Sequence, residues 1–239
     1  MYVIINKKRF MLMCIPALIV GLLAGGVISF IPGEKTFGYG SGETLKVVID
    51  AGHGGPDGGA VGINGAVEAE INLEIAKKIA DVLNGKGIDT IMTRNDSDGV
   101  RKEGADGWSK IEDMRMRLQM IKKSGADLFI SIHMNHFQQT NVHGLRLFYA
   151  ANHEEIKPLA ENMQERMSEI TGAKVSAVSA ADKTLFLMKS PPMPAILAEC
   201  GFLSNPAEEK NLSDEEYQAK LAWAIAESIE EHFMGINKA

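Results

Sequence analysis

The sequence predicts an α/β domain built on a mainly parallel sheet. Three observations carry that expectation. Short β-branched runs alternate with runs of helical periodicity from Leu45 onward, and two of the first helical runs end in glycine. The chain has 239 residues, 45% hydrophobic and 23% charged, which suits one well-packed domain of ordinary size. No internal repeat or low-complexity tract interrupts it.

The elements follow in order. LKVVID (45–50) is short, β-branched and followed by glycines, so it reads as a buried strand. EINLEIAKKIADVLNGKG (70–87) places Ile71, Ile75, Ile79 and Val82 at helical spacing. IDTIMT (88–93) is a second strand, and residues 94–110 form a long polar loop. IEDMRMRLQMIKKSG (111–125) is a second helix, DLFISIH (127–133) a third strand and GLRLFYA (144–150) a fourth. Residues 154–170 are expected as helix, PAILAECGF (194–202) as a late strand and 213–233 as a terminal helix, with SDEEYQ at its start. In such sheets the chemistry collects beyond the carboxyl ends of the strands.

The first thirty residues are of a different kind. Lys7, Lys8 and Arg9 precede an uncharged run over residues 10–33, the form of an export signal. The run is close to the ~20 residues that span a bilayer. The nearest approach to a cleavage site is Val27-Ile28-Ser29, so a signal anchor is favoured over a removed signal peptide. Met13 before Cys14 argues against lipoprotein-type cleavage. The positive flank directs the remainder out of the cytoplasm, leaving the protein exported or held on the outer face of the cytoplasmic membrane. Residues 1–30 are thus expected as the membrane segment, 31–44 as a glycine-rich tether and 45–239 as the catalytic domain.

The net charge is −6, and without the three N-terminal cations it is −9, which argues against nucleic acid as a partner. With Cys14 in the apolar run, Cys200 is the one thiol of the exported domain, so no internal disulfide is expected.

The informative stretch is VVIDAGHGGPDGGAVGINGAVEAEINL (47–73), in which seven of the fourteen residues 52–65 are glycine. It is neither a dinucleotide fingerprint, because Asp57 breaks the pattern and no helix starts before about Val67, nor a P-loop, because no Gly-Lys-Ser/Thr follows. His53 stands at the end of one strand, His133 at the end of another, Glu199 near the end of the late strand, and Glu68 at a helix start. Two imidazoles and a carboxylate can complete a catalytic zinc site, and a further carboxylate can serve as its base. Glycines would let the loop fold close to a metal. Spacing alone does not establish this site over unrelated surface or packing roles: no H-E-x-x-H helix exists, since Lys157 stands where the second histidine would follow His153-Glu154.

The glycine stretch, Thr93-Arg94, ADLFISIHMN and MPAILAECGFLSNPAEE together resemble, in the same order, the motifs of the zinc-dependent N-acetylmuramoyl-L-alanine amidases of type 3. The resemblance runs from about Leu45 to the C-terminus. It implies a twisted mixed sheet between helices, one Zn2+ on His53, Glu68 and His133, and Glu199 as the catalytic glutamate. It implies cleavage of the amide between N-acetylmuramic acid and L-alanine, with peptidoglycan glycan strands and peptide stems as partners. A single-domain anchored chain most resembles the sporulation amidase that strips stems from spore-cortex glycan before muramic lactam forms, with an extracytoplasmic activating protein as a further partner. The alternative within the family is a vegetative cell-wall amidase in cell separation or lysis.

This chain departs from the family pattern in Ile121-Lys122 of its second helix and in the longer loop 94–110, while Arg117 matches the family arginine. Asp50 as a partner orienting His53, and Arg94, Arg117, Asn135 and His136 as groove or supporting residues, complete the expected site, each with a plain structural role as its rival. His143, His153 and His232 are expected in solvent. Two other classes stay in view: a thiol peptidase using Cys200 and a histidine, and a glycan-binding protein without activity, which the full set of ligands and Glu199 weighs against.

Overall fold

The computed structural model describes residues 44–100 and 107–235. The expected membrane segment, almost all of the tether, Cys14 and residues 101–106 of the long loop lie outside the described residues. Among the described residues no helix is long and apolar enough to cross a membrane.

Six strands form one sheet: β1 (Lys46–Ala51), β2 (Asp89–Met92), β3 (Leu128–Asn135), β4 (Arg146–Tyr149), β5 (Ser179–Ala180) and β6 (Ala195–Phe202), in the order β2-β1-β3-β6-β4-β5. β1 pairs in parallel with β2 and β3, and β3 with β6. β4 runs antiparallel to β6 and carries β5 parallel on its far side, so the sheet is mixed and mainly parallel. Among the described residues five helices flank it: α1 (Glu68–Gly85), α2 (Lys110–Lys123), α3 (Lys157–Thr171), α4 (Pro206–Leu212) and α5 (Glu215–Met234).

The two-residue period of a strand sorts these layers. Val47 and Ile49 pack with Ile130, Ile132, Ile196 and Ala198 against Ile75, Ile79 and Leu83 of α1, Met163 of α3 and Ile225 of α5. Val48, Phe129 and Leu197 face the other way, onto Ile121 of α2 and Leu187 and Met188 of a short turn. Full burial of each such aliphatic stabilises by roughly 1.5–3 kcal/mol. Asp50, Ser131, His133 and Glu199 continue the α2-facing rows toward the carboxyl edge, where apolar packing stops.

The expected terminal helix 213–233 is present as α5, and a short helix that was not expected, α4, precedes it. Asn205 caps α4 by accepting from the amides of Ala207 and Glu208, with Pro206 in its first turn, and Asp214 caps α5 by accepting from Tyr217. The helix expected from 154 begins as a single 3-10 turn, Glu154–Ile156, before α3.

Candidate metal centre and active site

The chain leaves β1 through Gly52 and turns sharply at His53, whose φ of 62° is left-handed and strained for a residue with a side chain. The turn is held by mutual backbone bonds between Gly54 and Asp57, at 2.8 and 3.2 Å, and by Arg117, which donates to the His53 carbonyl. The imidazole is thereby lifted off the strand, with Nε2 3.3 Å from Glu68 Oε2 and Nδ1 3.0 Å from Asp57 Oδ2. Burial works against a charged His53, but the carboxylates of Glu68 and Asp57 outweigh it and raise its pKa above the ordinary value.

Glu68 opens α1 and is only 3% exposed. Its Oε2 accepts from the Ala60 amide at 2.8 Å, and its Oε1 from the Met134 amide at 3.0 Å. The same Oε1 lies 3.1 Å from His133 Nδ1. Burial would raise this carboxyl, yet the two imidazoles hold it well below the usual carboxylate range. A carboxylate at a helix start is also favoured by the helix dipole.

His133 of β3 and Glu199 of β6 are register partners, and both line the same cavity. Burial pushes the Glu199 carboxyl above its usual range, His133 opposes that push and Glu68 adds to it. Two glycines make room for the cluster. A Cβ on Gly52 would lie 2.3 Å from His133 Cε1, and one on Gly59 would lie 2.5 Å from Glu68 Oε2.

The ligand atoms of His53, Glu68 and His133 all lie within 4.8 Å of one another, so the cluster fits a metal site. The two imidazoles approach different oxygens of the same carboxylate, His53 Nε2 at 3.3 Å from Oε2 and His133 Nδ1 at 3.1 Å from Oε1. Glu199 Oε2 is buried with no hydrogen-bond partner, a cost that a reacting group in the cavity would relieve. The cavity, about 450 Å³, runs from these residues between α2 and the turn Phe186–Met188, past Trp108, Ile111, Met114 and Arg115.

The remaining expected residues divide. Asp50 does not orient His53. Its carboxylate accepts from Thr93 Oγ1 (2.7 Å), Arg117 Nη1 (2.8 Å) and Ser131 Oγ (2.7 Å), because the strand period directs it toward α2. Arg117, 1% exposed, is spent on Asp50, Asp113 and the Ala51 carbonyl. Arg94 donates to the carbonyls of Ala51, Gly52, Ala69 and Asp96, tying the end of β1 to α1. Both guanidinium groups are thus occupied by protein partners. Asn135 and His136 do not line the cavity: a bulge follows His133, and Asn135 Oδ1 takes the exposed His136 amide.

Two residues escaped the sequence reading. Asp57 figured only as a break in the glycine pattern. Glu209 of α4, 1% exposed, accepts from the Asn64 and Ala66 amides and from Asn64 Nδ2, and so holds the Asn64-Gly65 turn that leads into Glu68. The signal for Glu209 lay in the tail of the GFLSNPAEE motif.

A ligand cluster of this composition, with a spare buried carboxylate facing the same cavity, is the equipment of a metal-assisted hydrolase. The comparison with known proteins gives the class its particular form: over residues 47–231 the chain matches the N-acetylmuramoyl-L-alanine amidase family, and it belongs to that family. It is 36% identical over 192 residues to the germination-specific N-acetylmuramoyl-L-alanine amidase of Bacillus subtilis, covering 78% of this chain and 79% of that protein. It is 28% identical over 236 residues to the amidase AmiA of Escherichia coli, covering 81% of this chain and 78% of the relative. Among solved structures, the CwlD amidase of Clostridioides difficile, in complex with the GerS lipoprotein, superposes with a TM-score of 0.75 at 34% identity, covering 81% of this chain and all of that one. The protein is an N-acetylmuramoyl-L-alanine amidase acting on peptidoglycan. Since that substrate lies outside the cytoplasm, its action is extracytoplasmic.

Proposed function

We propose that the amidase is zinc-dependent, with His53, Glu68 and His133 as the protein ligands and Glu199 as general base and then general acid. The observation that carries this reading is the His53–Glu68–His133 cluster beside a buried Glu199 oxygen that has no partner. A bound zinc supplies a Lewis acid for the amide carbonyl and makes water a nucleophile at neutral pH. The chain's own groups do the rest. Glu199 takes a proton from the attacking water and returns it to the leaving L-alanine nitrogen as the amide bond breaks, so one water yields the lactyl carboxylic acid and the free amine. The cavity along α2 receives the substrate beside that bond.

The same reading extends to biology. Removal of stems from spore-cortex glycan is supported by the likeness to the germination-specific amidase. A protein partner outside the cytoplasm is supported by the likeness to CwlD, which was solved with the GerS lipoprotein. Residues 1–30, with Lys7, Lys8 and Arg9 before the uncharged run, act as a membrane anchor, residues 31–44 as a tether and residues 45–239 as the enzyme.

Mass spectrometry of purified peptidoglycan fragments, incubated with and without chelator, tests the chemistry. Free stems beginning at L-alanine are expected only without chelator; stem release that persists after zinc removal overturns the assignment. Alkaline carbonate washing of membranes tests the anchor, and full release into the wash rules it out.

A further inference from the structure

His53 has two ring nitrogens, and the ligand cluster uses one. Nε2 faces Glu68 Oε2, the carboxylate of that cluster, at 3.3 Å. Nδ1 points back into the glycine turn, is buried, and makes no aligned hydrogen bond. The carboxylate beside it is Asp57 Oδ2, 3.0 Å away but off the N–H direction. A neutral imidazole that gives Nε2 to a metal carries its proton on Nδ1. A buried N–H needs an acceptor, and Asp57 Oδ2 is the carboxylate beside it.

Asp57 is itself fixed. Its backbone is clasped to Gly54, and its Oδ2 also accepts from Lys110 Nζ at 2.9 Å. Lys110 is the first residue of α2, at the wall of the substrate cavity.

We propose that Asp57 is the positioning residue of His53, fixing its ring orientation and tautomer for metal binding through Nε2, and that Lys110 anchors Asp57 from α2. The proposal rests on His53 being a metal ligand, as the preceding reading has it. Metal-ligating histidines regularly hand their second N–H to a carboxylate, and loss of that partner weakens metal binding about 10–100-fold. The Lys110 contact is solvent-exposed on the lysine side, so its removal has a smaller effect, of a few-fold. The rival role is purely local: Asp57 Oδ1 also accepts from the Gly59 amide, at 3.4 Å, and steadies the turn.

The experiment measures zinc dissociation constants of the full chain by chelator competition, with cobalt-substituted d–d absorption as a second readout. His133→Ala serves as the control that must lose metal. Asp57→Ala is expected to bind zinc about 10–100-fold more weakly. Asp57→Asn, which keeps the shape and the turn contact, should be weakened several-fold and show a shifted cobalt spectrum at saturation. Asp57→Glu restores part of the affinity, and Lys110→Met loses a few-fold. Should Asp57→Ala fail to fold, Asp57→Asn decides. Zinc affinity within twofold of wild type and an unchanged cobalt spectrum in Asp57→Asn overturn the proposal and leave Asp57 as a turn anchor. Retention of zinc by His133→Ala would instead overturn the ligand assignment, so the two failures are distinguishable.

Discussion

His133 and Glu199 stand opposite one another on the adjacent parallel strands β3 and β6, and both face the cavity. The pairing puts a proposed metal ligand and the proposed base side by side on one rigid sheet edge. Glu199→Gln keeps the shape and removes the base. A general base contributes on the order of 100- to 10,000-fold, so turnover should fall by that much with zinc content unchanged. Steady-state kinetics on a defined muropeptide, with elemental analysis of the same sample, checks it. Near-normal turnover would dismiss Glu199 from the chemistry.

Gly52 is where the glycine run has a steric reason that can be tested. Its missing Cβ would overlap the His133 ring, 2.3 Å from Cε1 and 2.4 Å from Nε2. Gly52→Ala should displace that ring, so metal content and activity should drop together. Gly85, at the end of α1 with nothing within 4 Å of its notional Cβ, is the control: Gly85→Ala should keep both. Full zinc occupancy and turnover in Gly52→Ala would show that the close approach is not needed.

The sheet's central strands were legible because they are buried on both faces, so LKVVID, DLFISIH and PAILAECGF read as continuous apolar runs. His53, Glu68, His133 and Glu199 were legible as ends of elements, and the structure gathers all four at one edge. What strand ends cannot announce is direction. Asp50 sits at such an end as His133 does, yet its carboxylate is consumed by Arg117, Thr93 and Ser131, a contact set that exists only after α2 packs on the sheet. Asp57 and Glu209 were missed because residue types alone do not show a side chain's partner: one lies beside His53 within a strained turn, four positions on, and the other reaches across 145 positions to Asn64. Helix α4 was missed because seven residues are too few for periodicity to show, although Asn205-Pro206 marks its start.

Asp50 and Arg117 give a pH prediction. Burial would raise the Asp50 carboxyl, but the Arg117 guanidinium, His133 and the hydroxyls of Ser131 and Thr93 together outweigh it and hold the pKa below the ordinary 3.8. A carboxylate with a lowered folded-state pKa contributes stability that is present above its unfolded value and is lost as pH falls through the folded one. Wild-type stability should therefore fall as pH drops below about 4. Asp50→Asn should show a shallower acid slope, and a loss of about 3 kcal/mol near neutral pH because Arg117 is left partly uncompensated. Urea melts at pH 7 and pH 3.5 measure both. An acid slope identical to wild type would mean that Asp50 does not carry this linkage.

Glu199 and Cys200 are neighbours on β6, so their side chains face opposite sides of the sheet. Glu199 lines the cavity, whereas Cys200 is 1% exposed within the apolar layer under α5. Burial, with the Glu199 carboxylate adding to it, holds the thiol well above its ordinary pKa, so no thiolate forms at neutral pH. The two positions thus decide between a metal-assisted hydrolase and a thiol enzyme. Cys200→Ala removes a small core group, at a cost of about 1 kcal/mol on the usual scale of point substitutions. Turnover at moderate temperature should stay within a few-fold of wild type, and the native protein should resist alkylation by iodoacetamide. If Cys200→Ala abolished turnover with zinc still bound, while Glu199→Gln stayed active, the nucleophile would be sulfur and the role given to Glu199 would be wrong.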